Sequence, residues 1–296
     1  MACGGFGRGW CGEATDPAQY YLNIRKHMTK LSNIKATIYG SYLKIQETDR
    51  LFSYDHKNLS KKDKGRTNTL ADPETSARKS KALCKDIVRA NAYQYRNKKG
   101  NVIPLFFATF TFAENITDLK VANKYFRSMI KKLCYKTGES IKYLAVPEYQ
   151  KRGAVHYHTL FFNLPYLENI FETLTNLWGQ GFILNKTVND LNQATNYLTK
   201  YIQKEINVKH AKHSKRFLTS KGLKKKIVTR EKEQIQELIS VLPKHTVMTE
   251  CDYIGSDGTK FHQTDIQFPP DTNLPELFEN MPQDTYRLAK KIFGVK

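Results

Sequence analysis

The sequence predicts an α+β fold in which helices pack on a mostly antiparallel central sheet, an arrangement related to the split β-α-β unit. Between residues 103 and 206, short segments rich in β-branched and aromatic residues alternate with longer segments whose apolar residues repeat at helical spacing. Two of the short segments are separated only by a turn at residues 150–153. The predicted order of elements is therefore β-α-β-β-α-β-α.

Each element of this region has its own sequence signal. The first strand, residues 103–112, contains the run IPLFFATFTF and is predicted to lie at the centre of the sheet. Thr117 or Asp118 is expected to cap the first helix, which ends near Gly138. The other predicted elements are strands at 141–147 and 154–163, a helix at 167–178, a strand at 182–188, and a helix from Asp190 to about Ile206.

The flanking segments are more polar and lead to a division into three regions. Residues 1–100 are predicted to form a basic, partly helical region with a flexible Gly-rich start, in which residues 16–45 form a helix and a short strand. A polar break at 57–69 precedes a basic helix that starts at Asp72-Pro73-Glu74, runs towards Tyr95 and stops at 97–100. The core with a basic extension covers 101–232. Residues 233–296 are expected to add a β-hairpin, 247–254 with 260–268, and a tail with a helix at 282–293, packed on the core.

The charge of the chain favours a polyanionic partner. Lys and Arg number 48 against 28 Asp and Glu, a formal net charge of +20, which is too large for an ordinary enzyme with a small neutral substrate. Aromatic residues between cations, with 17 Tyr and 16 Phe in the chain, suit single-stranded nucleic acid. No signal peptide or membrane-spanning run is predicted, and five widely spaced cysteines favour a reducing cytosol over a disulfide framework.

Two histidines on the third predicted strand form a candidate metal site. His156 and His158 lie on one face, because side chains alternate across a strand. Glu148, just before the turn, offers a carboxylate as a third ligand. One carboxylate and two imidazoles leave open positions for water and phosphate oxygens, which favours Mg²⁺ or Mn²⁺. Zinc with the same ligands is the alternative and would indicate a hydrolytic water.

The last predicted helix of the core presents phenols and ammonium groups at positions that share a face. Tyr197, Lys200, Tyr201 and Lys204 follow one another at i, i+3, i+4 and i+7. If the helix buries its apolar residues Leu198 and Ile202, the hydroxyls are expected to point outward to a neighbouring cleft. A metal on a strand and phenols on a helix are the parts of a nuclease that attacks a phosphodiester with tyrosine.

Three segments in this order, FATFTF, EYQKRGAVHYH and YLTKYIQKE, resemble the three motifs of HUH-type rolling-circle replication initiators. The resemblance is to the replication-associated proteins of bacterial plasmids and small single-stranded DNA phages, and it covers roughly residues 106–225. It implies the HUH endonuclease fold, and the doubled tyrosine is similar to that of two-tyrosine initiators. The first hundred residues match the family less clearly.

The resemblance implies a role for each residue of the candidate site. His156, His158 and Glu148 would hold a divalent ion, Mg²⁺ or Mn²⁺, that polarises the scissile phosphate. Tyr197 or Tyr201 would attack that phosphate, giving a 5′-phosphotyrosyl intermediate and a free 3′-OH, and the ends would later be rejoined.

The cations around this site are predicted to contact DNA or the phenol. Lys200 and Lys204 would lower the cost of deprotonating the attacking phenol or hold the phosphate. The predicted partners are single-stranded DNA at a replication origin and, since the chain lacks a P-loop motif, a host helicase and DNA polymerase in the bacterial host cytoplasm. The predicted DNA-binding residues are Lys151, Arg152, Lys209, Lys215, Arg216, Lys221, Lys224 and Lys225.

Two other interpretations stay open at the level of sequence. The same chemistry could serve transposition or conjugative transfer, as in HUH transposases and relaxases. A non-catalytic sheet that binds RNA, similar to an RRM, would explain the charge and the aromatic residues. It would leave the histidine pair and the tyrosine helix unexplained.

Overall fold

The computed structural model describes residues 31–40, 42–53, 73–188, 191–204, 216–240 and 247–268. In this part of the chain, five helices accompany two five-stranded sheets whose strand pairs are all antiparallel. The strands are β1 Leu31–Ile38, β2 Tyr42–Ser53, β3 Phe106–Thr111, β4 Tyr143–Tyr149, β5 Val155–Phe161, β6 Ile183–Thr187, β7 Leu218–Thr219, β8 Ile227–Thr229, β9 Val247–Ile254 and β10 Lys260–Gln267. The helices are α1 Pro73–Asn91, α2 Leu119–Thr137, α3 Ile170–Trp178, α4 Leu191–Lys204 and α5 Lys232–Ser240.

The central sheet has the strand order β6-β3-β5-β4-β7, and its chain order from β3 to α4 is the predicted β-α-β-β-α-β-α. The predicted α+β class is thereby confirmed, with β3 inside the sheet as expected. Helix α2 begins where predicted, because the Asp118 carboxylate accepts a hydrogen bond from the Lys120 amide at 2.6 Å. It ends at Gly138, which adopts the left-handed conformation with φ 66°.

Helices cover both faces of the central sheet. On one face, Phe110 and Tyr157 pack with Phe126 of α2 and Trp178 of α3. On the other face, Phe107, Leu144 and Leu160 pack with α1 and α4. Because alternate residues of a strand face opposite sides, His156 and His158 share the second face with Leu160. The histidines therefore lie beneath α4.

The second sheet, of order β8-β1-β2-β10-β9, joins segments that are far apart in the sequence. The predicted C-terminal hairpin is present as β9 and β10, and it pairs with β2 along seven residue pairs. The predicted single short strand before residue 45 is wrong, since two strands, β1 and β2, form a hairpin there. The predicted division at residues 100 and 232 stays a prediction, although this sheet joins strands from both flanking regions.

Two further differences concern α1 and the shorter elements. Helix α1 ends at Asn91 and not near Tyr95, because the Asn91 amide nitrogen donates to the Ile87 carbonyl at 2.8 Å and to the Lys224 carbonyl at 3.0 Å. Strands β7 and β8 and helix α5 have no counterpart among the predicted elements. The predicted loop at 57–69, the helix before residue 31 and the helix at 282–293 lie outside the described residues. In the described ranges no helix combines the length and the apolarity needed to cross a membrane.

The loop between α3 and β6 fits tightly against the end of β3. The Trp178 indole nitrogen donates to the Thr111 carbonyl at 3.0 Å, and the Ala113 amide donates to the Gln180 carbonyl at 2.8 Å. Gly181 lies between them with φ 151°, and a Cβ atom there would collide with the backbone of Thr111 and Ala113. This close approach of two backbones requires glycine.

Replacing Gly181 with alanine is therefore expected to lower the free energy of unfolding by about 3 kcal/mol or more, through backbone strain together with the collision. Chemical denaturation followed by circular dichroism measures the loss. Gly138→Ala is the matched control: it also has positive φ but no atom within 4 Å of the added Cβ, so a cost of only about 1 kcal/mol is expected. Equal losses in the two variants would contradict the role of the close approach.

Candidate active site

His158 is held by side chains from both neighbouring strands. The register places it opposite Thr109 of β3 and Val146 of β4. Its Nδ1 lies 3.1 Å from the Thr109 hydroxyl, and its Nε2 lies 2.8 Å from the Glu148 carboxylate. Only 4% of the residue is exposed. The two contacts fix the orientation of the imidazole ring and hold Glu148 beside it.

His156 lies one pleat away and differs from His158 in its surroundings. It is opposite Glu148 in the β4–β5 pair, yet its Nε2 is buried without a hydrogen-bond partner. Burial lowers the pKa of His156 to about 4, with a further contribution from His158 and only partial opposition by Glu148. At neutral pH this imidazole is uncharged, so one of its nitrogens offers a lone pair.

Tyr201 stacks directly on His158. Their ring centroids are 3.7 Å apart with an angle of 11° between the planes, and only 7% of Tyr201 is exposed. Burial raises the pKa of the Tyr201 hydroxyl, as do its hydrogen bond with Tyr197 and the nearby charge of Glu148. The expectation that both tyrosines point outward is wrong for Tyr201, which packs in the same apolar cluster as Leu198.

Tyr197 is the more accessible of the two tyrosines. It is 44% exposed, and its ring meets that of Tyr201 edge-on at a centroid distance of 4.9 Å. It also contacts the edge of Phe107 at 5.2 Å and lies 5.9 Å from the His158 ring. The helix thus brings one accessible and one covered phenol to the same histidine.

A cavity of about 570 Å³ opens beside Tyr197, between α4 and the edge strand β6. Its apolar lining includes Phe107 and Leu184, and Leu184 is 71% exposed. Lys186 and Lys200 supply positive charge at the same place. A nucleotide has an apolar base and an anionic phosphate, so the chemical character of this lining suits one.

The proposed metal ligands Glu148, His156 and His158 share one face of β4 and β5. In the described ranges no three His, Cys, Asp or Glu side chains are already arranged to hold a metal ion, and Glu148 is hydrogen-bonded to His158. The buried, unpartnered Nε2 of His156 beside a carboxylate nevertheless fits a divalent cation with mixed nitrogen and oxygen ligands. The ligand set stays a prediction.

The predicted DNA-binding cations fall into different environments. Lys151, Lys221 and Lys225 are exposed, whereas Lys224 is half-buried and burial lowers its pKa. The Arg152 guanidinium donates to the Phe112 carbonyl at 2.5 Å and the Ala113 carbonyl at 3.2 Å, so it also ties the β4–β5 turn to the end of β3. Arg216 is half-buried; Lys209 and Lys215 lie outside the described residues, as does the side chain of Lys204.

Sequence reasoning missed two contributors to the site, Thr109 and Phe107. Both belong to the FATFTF segment and alternate with the buried Ala108 and Phe110. The signal that identifies them is the strand period together with the β3–β5 register, which places Thr109 opposite His158. A polar residue in an apolar central strand, on the face of the histidines, indicates a hydrogen-bonding role.

Residues 105–206 match the family model of the replication-associated protein ORF2. The chain is also similar to the replication-associated protein ORF2 of Spiroplasma virus 4, with 32% identity over 138 residues, which covers 40% of this chain and 42% of the relative. The chain thus spans less than half the length of this relative. No solved structure matches. The matched region extends from just before β3 to the end of α4 and contains both histidines and both tyrosines.

Proposed function

We propose, from the premise that residues 105–206 form a replication-associated protein ORF2 domain of rolling-circle initiators, that this chain starts DNA replication by nicking single-stranded DNA at an origin. The observation that best supports this function is the contact between two tyrosines and the His158–Glu148 pair. A phenol within ring contact of an ordered imidazole and a carboxylate is an arrangement for nucleophilic attack on a phosphodiester.

In the proposed reaction, the phenol oxygen of a tyrosine bonds to the scissile phosphorus, and the bond from phosphorus to the 3′-oxygen breaks. The phenol loses its proton on attack and the departing 3′-oxygen gains one, so a 5′-phosphotyrosyl linkage and a free 3′-OH remain. No water enters the bond, and the covalent link retains the energy needed for rejoining. Lys200, which lines the cavity beside Tyr197, favours the anionic phenolate and contacts the phosphate.

Glu148, His156 and His158 are the residues that would hold Mg²⁺ or Mn²⁺. Bound there, the ion supplies Lewis-acid polarisation of the phosphate oxygens. The chain's own contribution is to order these ligands: Thr109 and Glu148 fix the His158 ring, and Tyr201 covers it from water.

The two tyrosines serve successive steps in this proposal. They lie one helical turn apart and their rings are in contact, so one can hold the nicked end while the other attacks after a round of copying. A free 3′-OH primes a host DNA polymerase. A host helicase opens the duplex, because replication needs single-stranded template ahead of the nick.

Incubation with single-stranded oligonucleotides of random sequence and Mn²⁺ tests the proposed function. We expect a covalent protein–DNA adduct that withstands denaturing electrophoresis, and sequencing the attached 5′ ends would give the origin sequence. The adduct should disappear when the metal is chelated. Binding of the oligonucleotides without any adduct, in Mn²⁺ and in Mg²⁺ alike, would contradict the assignment as a nickase and favour a nucleic-acid-binding role.

A further inference from the structure

The second sheet, which lies outside the matched region, has one strongly basic face. Ala36 of β1 pairs with Thr229 of β8, so the preceding Lys35 lies beside Arg230 on the opposite face of the sheet. On the same face, Lys44 of β2 pairs with Thr37 of β1. Cross-strand neighbours on this face are therefore cations placed next to cations.

Helix α1 adds more positive charge at the edge of this face. The Arg89 guanidinium lies 4.3 Å above the ring of Tyr42, and Lys85 is one turn earlier on the helix. Lys226, which precedes β8, is within 2.6 Å of the Asp86 carboxylate. We define the basic sheet face as the following residues: Lys35, Lys44, Lys85, Arg89, Lys226 and Arg230.

The carboxylates on this face do not balance its cations. Asp86 is shared between Lys226 and the Tyr39 hydroxyl, and Asp265 faces Lys44 across the β2–β10 pair. Burial and the neighbouring cations together lower the pKa values of Lys35 and Lys44. Like charges opposite one another destabilise a sheet, so the face costs folding free energy. A partner that supplies negative charge would offset this cost.

The chemistry of the face distinguishes double-stranded from single-stranded DNA. Single strands are held by aromatic rings on which bases stack, yet Tyr39 and Tyr42 on this face are each only 4% exposed. The other aromatic pair of this sheet, Tyr253 and Phe261, has its rings stacked on each other at 4.8 Å. Lysine and arginine without exposed stacking rings suit the phosphates of a duplex, which positions a protein without reading bases.

We propose that the basic sheet face binds the phosphate backbone of double-stranded DNA. It would anchor the protein on the duplex that adjoins the single strand presented to Tyr197. Binding to the duplex does not depend on the proposed nicking, but its placement beside the cleaved strand rests on that function. The region outside the matched domain thereby acquires a role in holding the template.

Fluorescence anisotropy with a 20-base-pair duplex, measured on the full chain over a series of salt concentrations, tests the proposal. Each phosphate contact contributes about 0.9 to the slope of log affinity against log salt. The double variant Lys35→Gln, Lys44→Gln is expected to reduce that slope by about two. Because neighbouring cations are removed, its melting temperature should be equal to or above that of the unsubstituted chain. Lys85→Gln is a second, single-site variant, with an expected reduction of about one.

The matched control removes two cations elsewhere: Lys131→Gln with Lys132→Gln on the exposed side of α2. An equal reduction of the slope in the control would overturn the proposal, since binding would then reflect net charge alone. An equal weakening for an unstructured single strand would overturn the choice of duplex. Cleavage of a short single-stranded substrate should stay unchanged in the double variant. If the unsubstituted chain binds the duplex as expected but cleaves nothing, the proposed function fails and this inference stands.

Discussion

Replacing Tyr197 with phenylalanine is expected to reduce formation of the covalent DNA adduct by at least about 10³-fold, because removing a nucleophile removes the reaction path itself. Tyr197 is the better placed of the two phenols to start the reaction. It is 44% exposed, it lies beside the cavity, and Lys200 lines the same cavity. Tyr201 is covered and stacked on His158, and its pKa is raised.

Tyr201→Phe keeps the ring that covers His158 and removes only the hydroxyl. We expect this variant to form the first adduct within about tenfold of the normal rate but to fail in the second transfer, in which the nicked end is exchanged. A suicide oligonucleotide that traps the adduct, followed by an acceptor strand carrying a free 3′-OH, measures both steps separately. Full joining activity in either single variant would rule out alternation of the two tyrosines. Adduct formation in Tyr197→Phe but not in Tyr201→Phe would reverse the assignment.

Local sequence patterns were sufficient to predict the core of the fold. The alternating and helical periods between residues 103 and 206 gave the order of elements from β3 to α4, and Asp118 and Gly138 marked the ends of α2 correctly. The second sheet was missed for a physical reason: its strands come from three distant segments, and β8 has only three residues. Strand pairing over such separations leaves no local periodic signal.

The exposure of the tyrosines could not be predicted from the helix pattern alone. At about 100° per residue, Tyr201 is rotated by about 40° from Tyr197, towards the side of Leu198 and Ile202. It therefore lies at the boundary of the buried face, where the neighbouring strand decides its exposure. His158 supplies a flat ring at that boundary, and Tyr201 is covered by stacking on it. Thr109 was likewise predictable only with the β3–β5 register in hand.

His156→Ala is expected to reduce adduct formation in Mn²⁺ by about 10³-fold or more, since a metal ligand supports several kcal/mol of transition-state stabilisation. Binding of Mn²⁺, measured by titration calorimetry, should weaken in parallel. His262→Ala is the matched control: His262 also pairs with a carboxylate, Asp252 at 2.7 Å, but on β10 of the second sheet. Normal Mn²⁺ affinity in His156→Ala would contradict the proposed ligand.

Stability against pH separates a ligand role for His156 from a structural one. In the folded chain its pKa is lowered to about 4, whereas in the unfolded chain it returns towards its ordinary value near 6.5. The unfolded state therefore binds a proton that the folded state refuses, and the free energy of unfolding falls as the pH drops from about 6.5 to 4. His156→Ala should remove that part of the pH dependence and leave metal-free stability at pH 7 unchanged or higher, because a buried nitrogen without a partner is lost. A purely structural histidine would instead make the variant less stable at pH 7 in the absence of metal, and that result would contradict the ligand role.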